Sequence, residues 1–147
     1  MKIVGYGNPF RRDDAIGIWI VSRLKYIWRP PLDKVDFWIG QQLVPELSEW
    51  IHDAEGVIFI DSSLKVNKDK GWDFIPIRED SASFTDNMFH SVDVQDIIAL
   101  TKREYKRSPD AYLLVVAGYD FSFGAGLTEK AKKASLEAIE FIKGWIK

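Results

Sequence analysis

Apolar residues along the chain fall into short continuous runs and into longer segments with helical spacing, and the two kinds alternate. The runs at 57–60 and 111–117 are almost entirely apolar, which is typical of strands buried on both faces of a sheet. Strands are predicted at 3–6, 35–39, 57–60, 72–77 and 111–117. Pro76 favours an edge position for the fourth of them, because proline cannot donate a hydrogen bond to a neighbouring strand.

Helices are predicted between most of these strands. Residues 14–28 are interpreted as an amphipathic helix, because their apolar positions recur at helical spacing. These positions are Ile16, Trp19, Ile20, Leu24 and Ile27. A short helix follows Pro45, another covers 93–105, and the last begins after a Thr128 cap. The last helix is expected to bury Ala131, Ala134, Ala138, Ile142 and Trp145.

This alternation predicts one α/β domain over residues 1–147, organised as a three-layer sandwich. The expected sheet is twisted and mostly parallel, with helices on both faces and one antiparallel edge strand at 72–77. The charged segment at 65–71 is interpreted as the turn of a hairpin that returns into this edge strand. Residues 79–91 are expected to hold little regular structure.

The stretch from Gly5 to Asp14 is the first candidate for chemistry. Gly5 and Gly7 allow a sharp backbone turn after the first strand, and Asn8 followed by proline is a turn signal. Asp13 is predicted to be the N-cap of the following helix. Asp14 would lie in its first turn, where the helix dipole favours the ionised carboxylate. A fixed negative charge is therefore expected at the carboxyl edge of the sheet, where open α/β folds build their sites.

Two nucleotide-binding signatures are absent from this stretch. The dinucleotide fingerprint needs a third glycine where the chain has Phe10, and no Gly-Lys-Ser/Thr of a phosphate-binding loop follows. A net charge of −2 argues against a nucleic-acid-binding surface. Cysteine chemistry is excluded as well, because the chain has no cysteine.

Composition and hydropathy also bear on location and partners. The sequence shows neither a leader-like start nor an apolar run of membrane-spanning length, so a cytoplasmic location without a membrane partner is expected. Six tryptophans and nine phenylalanines are many for 147 residues. A few of them are expected to form an exposed protein-docking surface.

Three residues far apart in the sequence are predicted to meet at one edge of the sheet. The first and third strands end at the same edge, so Asp14 and Asp61 are expected to approach each other, and His90 to close over them. Two carboxylates and an imidazole suit a borderline divalent ion such as nickel or zinc, and they equally suit a general base that activates water. Each also has a structural interpretation, as a helix-start acid, a turn cap and a solvated loop residue respectively.

The remaining polar candidates are given structural roles. His52 is interpreted as a surface residue, and Asp93 and Asp96 as acids of the first turn of a helix. Arg11 and Arg12 are interpreted as solvated, with pairing to the aspartates or to a client carboxylate as the alternatives.

The run from Gly5 to Gly17 resembles the signature of the hydrogenase maturation proteases, the endopeptidases that trim the large subunit of [NiFe] hydrogenases. That signature opens with Gly-x-Gly-Asn, four residues and an acidic pair, which is Asp13-Asp14 here. Further matches follow in chain order at 40–47, 58–61, His90 before 97–100, Gly118 and 126–128. The chain departs from the pattern at Ala15, where many members have glycine, and in the serine pair after Asp61.

The resemblance implies that Asp14, Asp61 and His90 are both the metal-contacting and the catalytic residues, with Asn8 and Asp13 in support. It implies an aspartic-type endopeptidase that removes the C-terminal extension of a nickel-loaded [NiFe] hydrogenase large-subunit precursor. The client's nickel would serve as the recognition element. No permanently bound cofactor is therefore expected.

Two other classes of function stay open at this point. Peptidyl-tRNA hydrolases also begin with a strand and a Gly-Asn-Pro turn, but they need a histidine where this chain has Asp13 and Asp14, and a basic channel for RNA. A non-catalytic chaperone that senses nickel in a client is the second alternative. Cleavage of a nickel-loaded precursor would distinguish the protease from both.

Overall fold

The strands and helices lie close to the positions that the hydrophobic pattern predicts. The computed structural model describes residues 1–28, 34–67, 69–78 and 92–146. Its strands are β1 (Lys2–Tyr6), β2 (Asp36–Gly40), β3 (Gly56–Ser63), β4 (Trp72–Ile77) and β5 (Asp110–Ala117). Its helices are α1 (Ile16–Ile27), preceded by a 3-10 turn at Arg12–Ala15, then α2 (Leu47–Ile51), α3 (Val94–Tyr105) and α4 (Glu129–Ile146).

The strands form a single sheet in the order β2-β1-β3-β5-β4. β1 pairs in parallel with both β2 and β3, and β3 pairs in parallel with β5. Within the described part of the chain, β4 alone runs antiparallel, against β5 at the edge. The predicted α/β fold, with a mostly parallel sheet and one antiparallel edge strand, is therefore confirmed.

The two faces of the sheet carry separate apolar cores. One core joins α1 and α4 to the sheet through residues such as Ile20 and Ile139. The other joins α2 and α3 to the opposite face through residues such as Leu47 and Ile97. Because β3 lies between β1 and β5 and is covered on both faces, all of its residues are buried. The carboxyl ends of β1 and β3 consequently meet at the middle of one sheet edge.

The predicted hairpin between the third and fourth strands is wrong. β4 does lie at the edge, but β5 separates it from β3. β3 already pairs on both sides with parallel strands, so neither of its sides is open to β4. The segment at 64–71 therefore connects two strands that are not neighbours.

Some element boundaries also differ from the predictions. Asp61 does not follow the third strand but lies within it, paired with Val115. Ile27 is 42% exposed and Trp145 is 37% exposed, although both were expected on buried helix faces. Trp145 packs against Phe74 at 5.0 Å, at the sheet edge, so one side of its ring faces outward. No described helix combines the length and the apolar character that crossing a bilayer requires.

Two glycines set the distance between α1 and the sheet. A Cβ on Gly5 would collide with the carbonyl oxygen of Gly17, and a Cβ on Gly17 would collide with the carbonyl oxygen of Ile60. Both obstacles are backbone atoms, which cannot move aside as a flexible side chain would. This close approach brings the turn that precedes α1, with Asp14, against the end of β3.

Candidate active site

Tyr6 and Asp61 lie beside each other at the carboxyl ends of β1 and β3. The parallel register pairs Gly5 with Ile60, so Tyr6 and Asp61 are the next positions along the two strands. Both side chains are almost completely buried, with 2% of Tyr6 and 1% of Asp61 exposed. A buried carboxylate needs hydrogen-bond donors to offset the loss of water.

The Asp61 carboxylate accepts a hydrogen bond from the backbone of the next residue, and its charge acts on Tyr6. The Ser62 N–H donates to Asp61 Oδ1 at 2.7 Å. Burial is the largest cause that raises the pKa of Tyr6 well above its usual value of 10.0, followed by the charge and hydrogen bond of Asp61. The charges of Asp93 and Asp14 raise this pKa further. Three carboxylates therefore lie within electrostatic range of one protonated hydroxyl.

Asp14 is held by the loop that follows β1. The carboxylate is 3% exposed, and the Asn8 N–H donates to its Oδ2 at 2.8 Å. Asn8 Oδ1 in turn accepts the Phe10 N–H at 2.9 Å, which closes the turn. Gly7 permits this path, because its φ is +147° and a Cβ there would collide with the carbonyl oxygen of Asp14. The Gly-Asn pair of the signature thus shapes the loop around the Asp14 carboxylate.

Asp13 is not the N-cap of α1, contrary to the prediction. Its fully buried carboxylate accepts hydrogen bonds from the N–H groups of Tyr119 at 2.8 Å, Asp120 at 3.1 Å and Thr128 at 2.8 Å. The Thr128 hydroxyl donates to it as well, at 2.8 Å. These distant donors satisfy both carboxylate oxygens, which a local cap in the first helical turn would not do. Asp13 therefore fastens the loop at 118–128 to the turn that carries Asp14.

The two arginines lie at the junction between these loops. Arg12 has a positive φ of +42°, and its Nε lies 3.8 Å from Asp120 Oδ2. The Arg11 guanidinium covers the ring of Phe123, 4.6 Å from its centroid. Phe10 and Phe123 are 62% and 74% exposed. They agree with the expectation of exposed aromatic residues, and their use in protein docking stays a prediction.

His90 lies outside the described residues, so the meeting of Asp14, Asp61 and His90 stays a prediction. Among residues 1–28, 34–67, 69–78 and 92–146, no group of three His, Cys, Asp or Glu side chains is arranged to hold a metal ion. His52, the other histidine, is stacked on Tyr105 with ring centroids 4.1 Å apart. It precedes the amino end of β3, at the opposite sheet edge from Asp61.

Three residues contribute to this region although the sequence analysis gave them no part in it. Tyr6 lies beside Asp61, whose charge raises the pKa of Tyr6, and the period-two alternation of side chains along the first and third strands would have placed the two on the same face. Asp93 is the N-cap of α3 in a capping box, and its charge acts on Tyr6. Thr128 contacts Asp13 across 115 residues of sequence, and no local pattern signals such a contact.

The carboxylates of Asp14 and Asp61 determine the chemistry that is available at this edge of the sheet. Asp14 and Asp61 are both buried at the carboxyl ends of central elements, in the position where open α/β folds place ligands. Carboxylate oxygens bind divalent cations, and an ionised carboxylate accepts a proton from water. Asp14 and Asp61 are therefore the candidates for metal contact or for general-base catalysis, and their approach to each other stays a prediction.

Several solved structures are similar to this chain over most of its length. The hydrogenase maturating endopeptidase HybD from E. coli has a TM-score of 0.77 and 22% identity, covering 96% of this chain and 88% of that one. An endopeptidase from Escherichia coli has a TM-score of 0.74 and 23% identity, covering 97% and 90%. The [NiFe] hydrogenase maturation protease HycI from Thermococcus kodakarensis has a TM-score of 0.73 and 20% identity, covering 96% and 88%.

Comparison of the sequence with protein families and with curated proteins does not assign the chain to a family. No protein-family model matches the chain, and no curated protein sequence matches it significantly. Identities of 20% to 23% over nearly the whole chain establish a shared architecture. The chain therefore has the fold of the hydrogenase maturation proteases, the family that its sequence resembles.

Proposed function

We propose that this chain is an endopeptidase that removes the C-terminal extension of a nickel-loaded [NiFe] hydrogenase large-subunit precursor. The proposal rests chiefly on the position of Asp14 and Asp61, two buried carboxylates at the edge of a fold shared with hydrogenase maturation endopeptidases. Burying ionisable groups costs folding free energy, and sites of chemistry are where proteins commonly sustain that cost.

Nickel belongs to the substrate in this proposal. Asp14 and Asp61 would offer carboxylate oxygens and His90 an imidazole nitrogen, a donor set that suits a borderline divalent ion. Contact with the client's nickel would fix the precursor on the enzyme and bring the scissile peptide bond beside the carboxylates. The metal would thus act as the recognition element, and the chain would need no permanently bound cofactor.

Hydrolysis at this edge requires a base for water and an acid for the leaving amine. An ionised Asp14 or Asp61 would accept a proton from water while the water oxygen attacks the scissile carbonyl carbon. The protonated carboxyl would then give that proton to the amine nitrogen as the C–N bond breaks. One carboxylate can serve in both steps, so the second is available for contact with nickel.

The proposed partner is the large-subunit precursor, and the proposed site of action is the cytoplasm. Neither nucleic acid nor a membrane is part of the proposal. The carboxylates of Asp13, Asp14 and Asp61 disfavour a phosphate backbone at this edge, because like charges repel. A peptidyl-tRNA hydrolase is for that reason a weaker candidate than the endopeptidase.

Incubation of the purified protein with nickel-loaded and nickel-free precursor, followed by mass spectrometry of the products, tests the proposal. We expect loss of the C-terminal extension from the nickel-loaded precursor only. Binding without cleavage would favour the nickel-sensing chaperone, and release of tRNA from peptidyl-tRNA would favour the hydrolase. Chelator-resistant metal in equimolar amount in the purified protein would contradict the idea that nickel arrives with the client.

A further inference from the structure

Phe10 and Phe123 are neighbours on the surface, although they are far apart in the sequence. The Gly124 N–H donates to the Phe10 carbonyl oxygen at 2.9 Å, and the Arg12 N–H donates to the Gly124 carbonyl oxygen at 3.2 Å. These two bonds form a parallel bridge between Arg11 and Gly124, so Phe10 and Phe123 occupy adjacent positions on the paired segments. Both side chains are nevertheless mostly exposed. The two rings therefore form an aromatic patch on a backbone that is already fixed.

Two guanidinium groups border this aromatic patch. The Arg11 guanidinium lies 4.6 Å from the centroid of the Phe123 ring, and its Nη1 donates to the Phe121 carbonyl oxygen at 3.4 Å. Arg12 Nε lies 3.8 Å from Asp120 Oδ2. Two cations and one carboxylate give this border a net positive charge. The border therefore attracts an anionic group on a partner.

The aromatic patch begins directly beside the acidic edge. The Phe10 N–H donates to Asn8 Oδ1 at 2.9 Å, and the Asn8 N–H donates to Asp14 Oδ2 at 2.8 Å. Consecutive Cα atoms are about 3.8 Å apart, so the Cα atoms of Phe10 and Asn8 lie within about 8 Å of each other. A stable protein–protein interface covers about 800 Å² of each partner, which corresponds to a disc of about 16 Å radius. A protein whose metal contacts Asp14 therefore covers Phe10 as well.

The charges of this region indicate what such a protein presents. The acidic edge attracts a cation, while Arg11 and Arg12 beside it attract an anion. An apolar side chain on the partner would cover the exposed rings, and an aspartate or glutamate next to it would meet the guanidinium groups. Aromatic residues and arginine are also the residue types enriched in the parts of protein interfaces that contribute most to affinity.

We propose that Phe10 and Phe123, with Arg11 and Arg12 at their border, form the docking surface for the hydrogenase large-subunit precursor. The segment that binds there presents an apolar side chain next to an aspartate or glutamate. This inference rests on the proposed function above. The docking surface takes no part in bond cleavage, so its loss raises KM and leaves kcat unchanged.

The aromatic part of the docking surface is tested with Phe10→Ala and Phe123→Ala, and Tyr26→Ala is the matched control. Tyr26 is 77% exposed and lies at the end of α1 that is far from Asp14. We expect KM for the nickel-loaded precursor to rise by about 5–30-fold in each patch variant, with kcat unchanged. Tyr26→Ala should keep the wild-type KM. A wild-type KM in both patch variants would overturn the inference.

The charged part is tested with Arg11→Gln, and Arg23→Gln is its matched control. The Arg23 guanidinium also lies over an aromatic ring, 4.5 Å from the centroid of Trp19. Arg11→Gln should raise KM by about 3–10-fold at low ionic strength, and this difference should shrink as salt screens the charges. Arg23→Gln should have no effect. An Arg11→Gln effect that is absent or independent of salt would overturn the contact with an acidic side chain.

Binding measured separately from cleavage distinguishes this inference from the proposed function. If the wild type binds the nickel-loaded precursor in biolayer interferometry without cleaving it, the endopeptidase proposal fails, while the Kd of Phe10→Ala still decides the docking surface. If the wild type does not bind the precursor, both proposals fail. Self-association of the wild type that Phe10→Ala abolishes, without a change in precursor binding, would assign the patch to a second copy of this chain and overturn the inference.

Discussion

Thr128 donates two hydrogen bonds to Asp13, from its N–H to Oδ1 and from its hydroxyl to Oδ2, both at 2.8 Å. The same hydroxyl oxygen accepts the Ala131 N–H at 3.2 Å at the start of α4. Thr128 is therefore the helix cap that the sequence predicts. It also joins the last helix to the turn that carries Asp14.

Asp13→Ala should lower the free energy of unfolding by about 3 kcal/mol or more, because it leaves several buried donors without an acceptor. Urea denaturation measures the change. Asp36→Ala, at an exposed position in β2, is the control and should stay within about 0.5 kcal/mol of the wild type. If Asp13→Ala and Asp36→Ala lowered the free energy of unfolding equally, the hydrogen bonds of Asp13 would contribute little to stability.

Gly17→Ala should destabilise the protein by about 1–3 kcal/mol, because the added Cβ would collide with the carbonyl oxygens of Ile60 and Tyr6. Gly144→Ala is the opposite case, since a Cβ there meets nothing within 4 Å. In α4 that substitution should stabilise the protein by about 0.5–1 kcal/mol. Chemical denaturation of both variants checks the pair, and a stabilised Gly17→Ala protein would contradict the close approach of α1.

Ser135→Ala should raise the free energy of unfolding by about 1 kcal/mol. The Ser135 hydroxyl is buried in α4 and finds no hydrogen-bond partner among the described residues, while alanine favours the helix. The melting temperature should rise by about 2–4 °C. Ser48→Ala should have the opposite sign, because the buried Ser48 hydroxyl donates to the Pro45 carbonyl oxygen at 2.9 Å. If Ser135→Ala and Ser48→Ala changed the free energy of unfolding in the same direction, the difference proposed between the two hydroxyls would be wrong.

Alkaline pH should destabilise the protein partly through Tyr6. Its pKa is raised in the folded state, so above pH 10.0 the unfolded chain releases a proton that the folded protein keeps. The stabilisation linked to Tyr6 is complete below that pH and is lost as the pH rises toward the folded-state pKa, at up to about 1.4 kcal/mol per pH unit. Above pH 10, the free energy of unfolding should fall less steeply with pH for Tyr6→Phe than for the wild type. Equal slopes for the two proteins would contradict the raised pKa of Tyr6 in the folded state.

Asp14→Asn and Asp61→Asn should each reduce kcat/KM for the nickel-loaded precursor by about 100-fold or more, because a neutral amide does not accept the proton of water and lacks the negative charge that attracts a cation. Asp69→Asn, at an exposed position, should leave the rate unchanged. Circular dichroism verifies that all three variants are folded. Full activity in either site variant would remove that carboxylate from the mechanism.

The layered fold is predictable because residues 57–60 and 111–117 are almost entirely apolar, and such runs indicate strands that are buried on both faces of a sheet. Pro76 likewise marks an edge strand. The partner of that edge strand is not predictable from local spacing, because β5, which follows β4 in the chain, lies between β3 and β4 in the sheet. The hairpin prediction failed for this reason.

The candidate site is predictable only in part. Asp14 and Asp61 were predicted at the carboxyl edge of the sheet, and the structure places Asp61 within the last three residues of β3 and Asp14 in the turn that contacts β3. Their roles in metal contact and catalysis stay predictions. The role of Asp13 was mistaken because a capping pattern reports only local donors, whereas its donors lie more than a hundred residues away. The position of His90 stays a prediction.

The link between Asp13 and Thr128 also bears on the order in which the protein is made. Thr128 is synthesised 115 residues after Asp13. The growing chain therefore contains the turn with Asp13 and Asp14 long before the Thr128 groups that donate hydrogen bonds to Asp13. β5, which separates β3 from β4, emerges late as well. A ribosome-bound chain that ends before Thr128 would carry Asp13 and Asp14 without the Thr128 donors that bind Asp13. The acidic edge is therefore complete only after Thr128, the cap of α4, has left the exit tunnel.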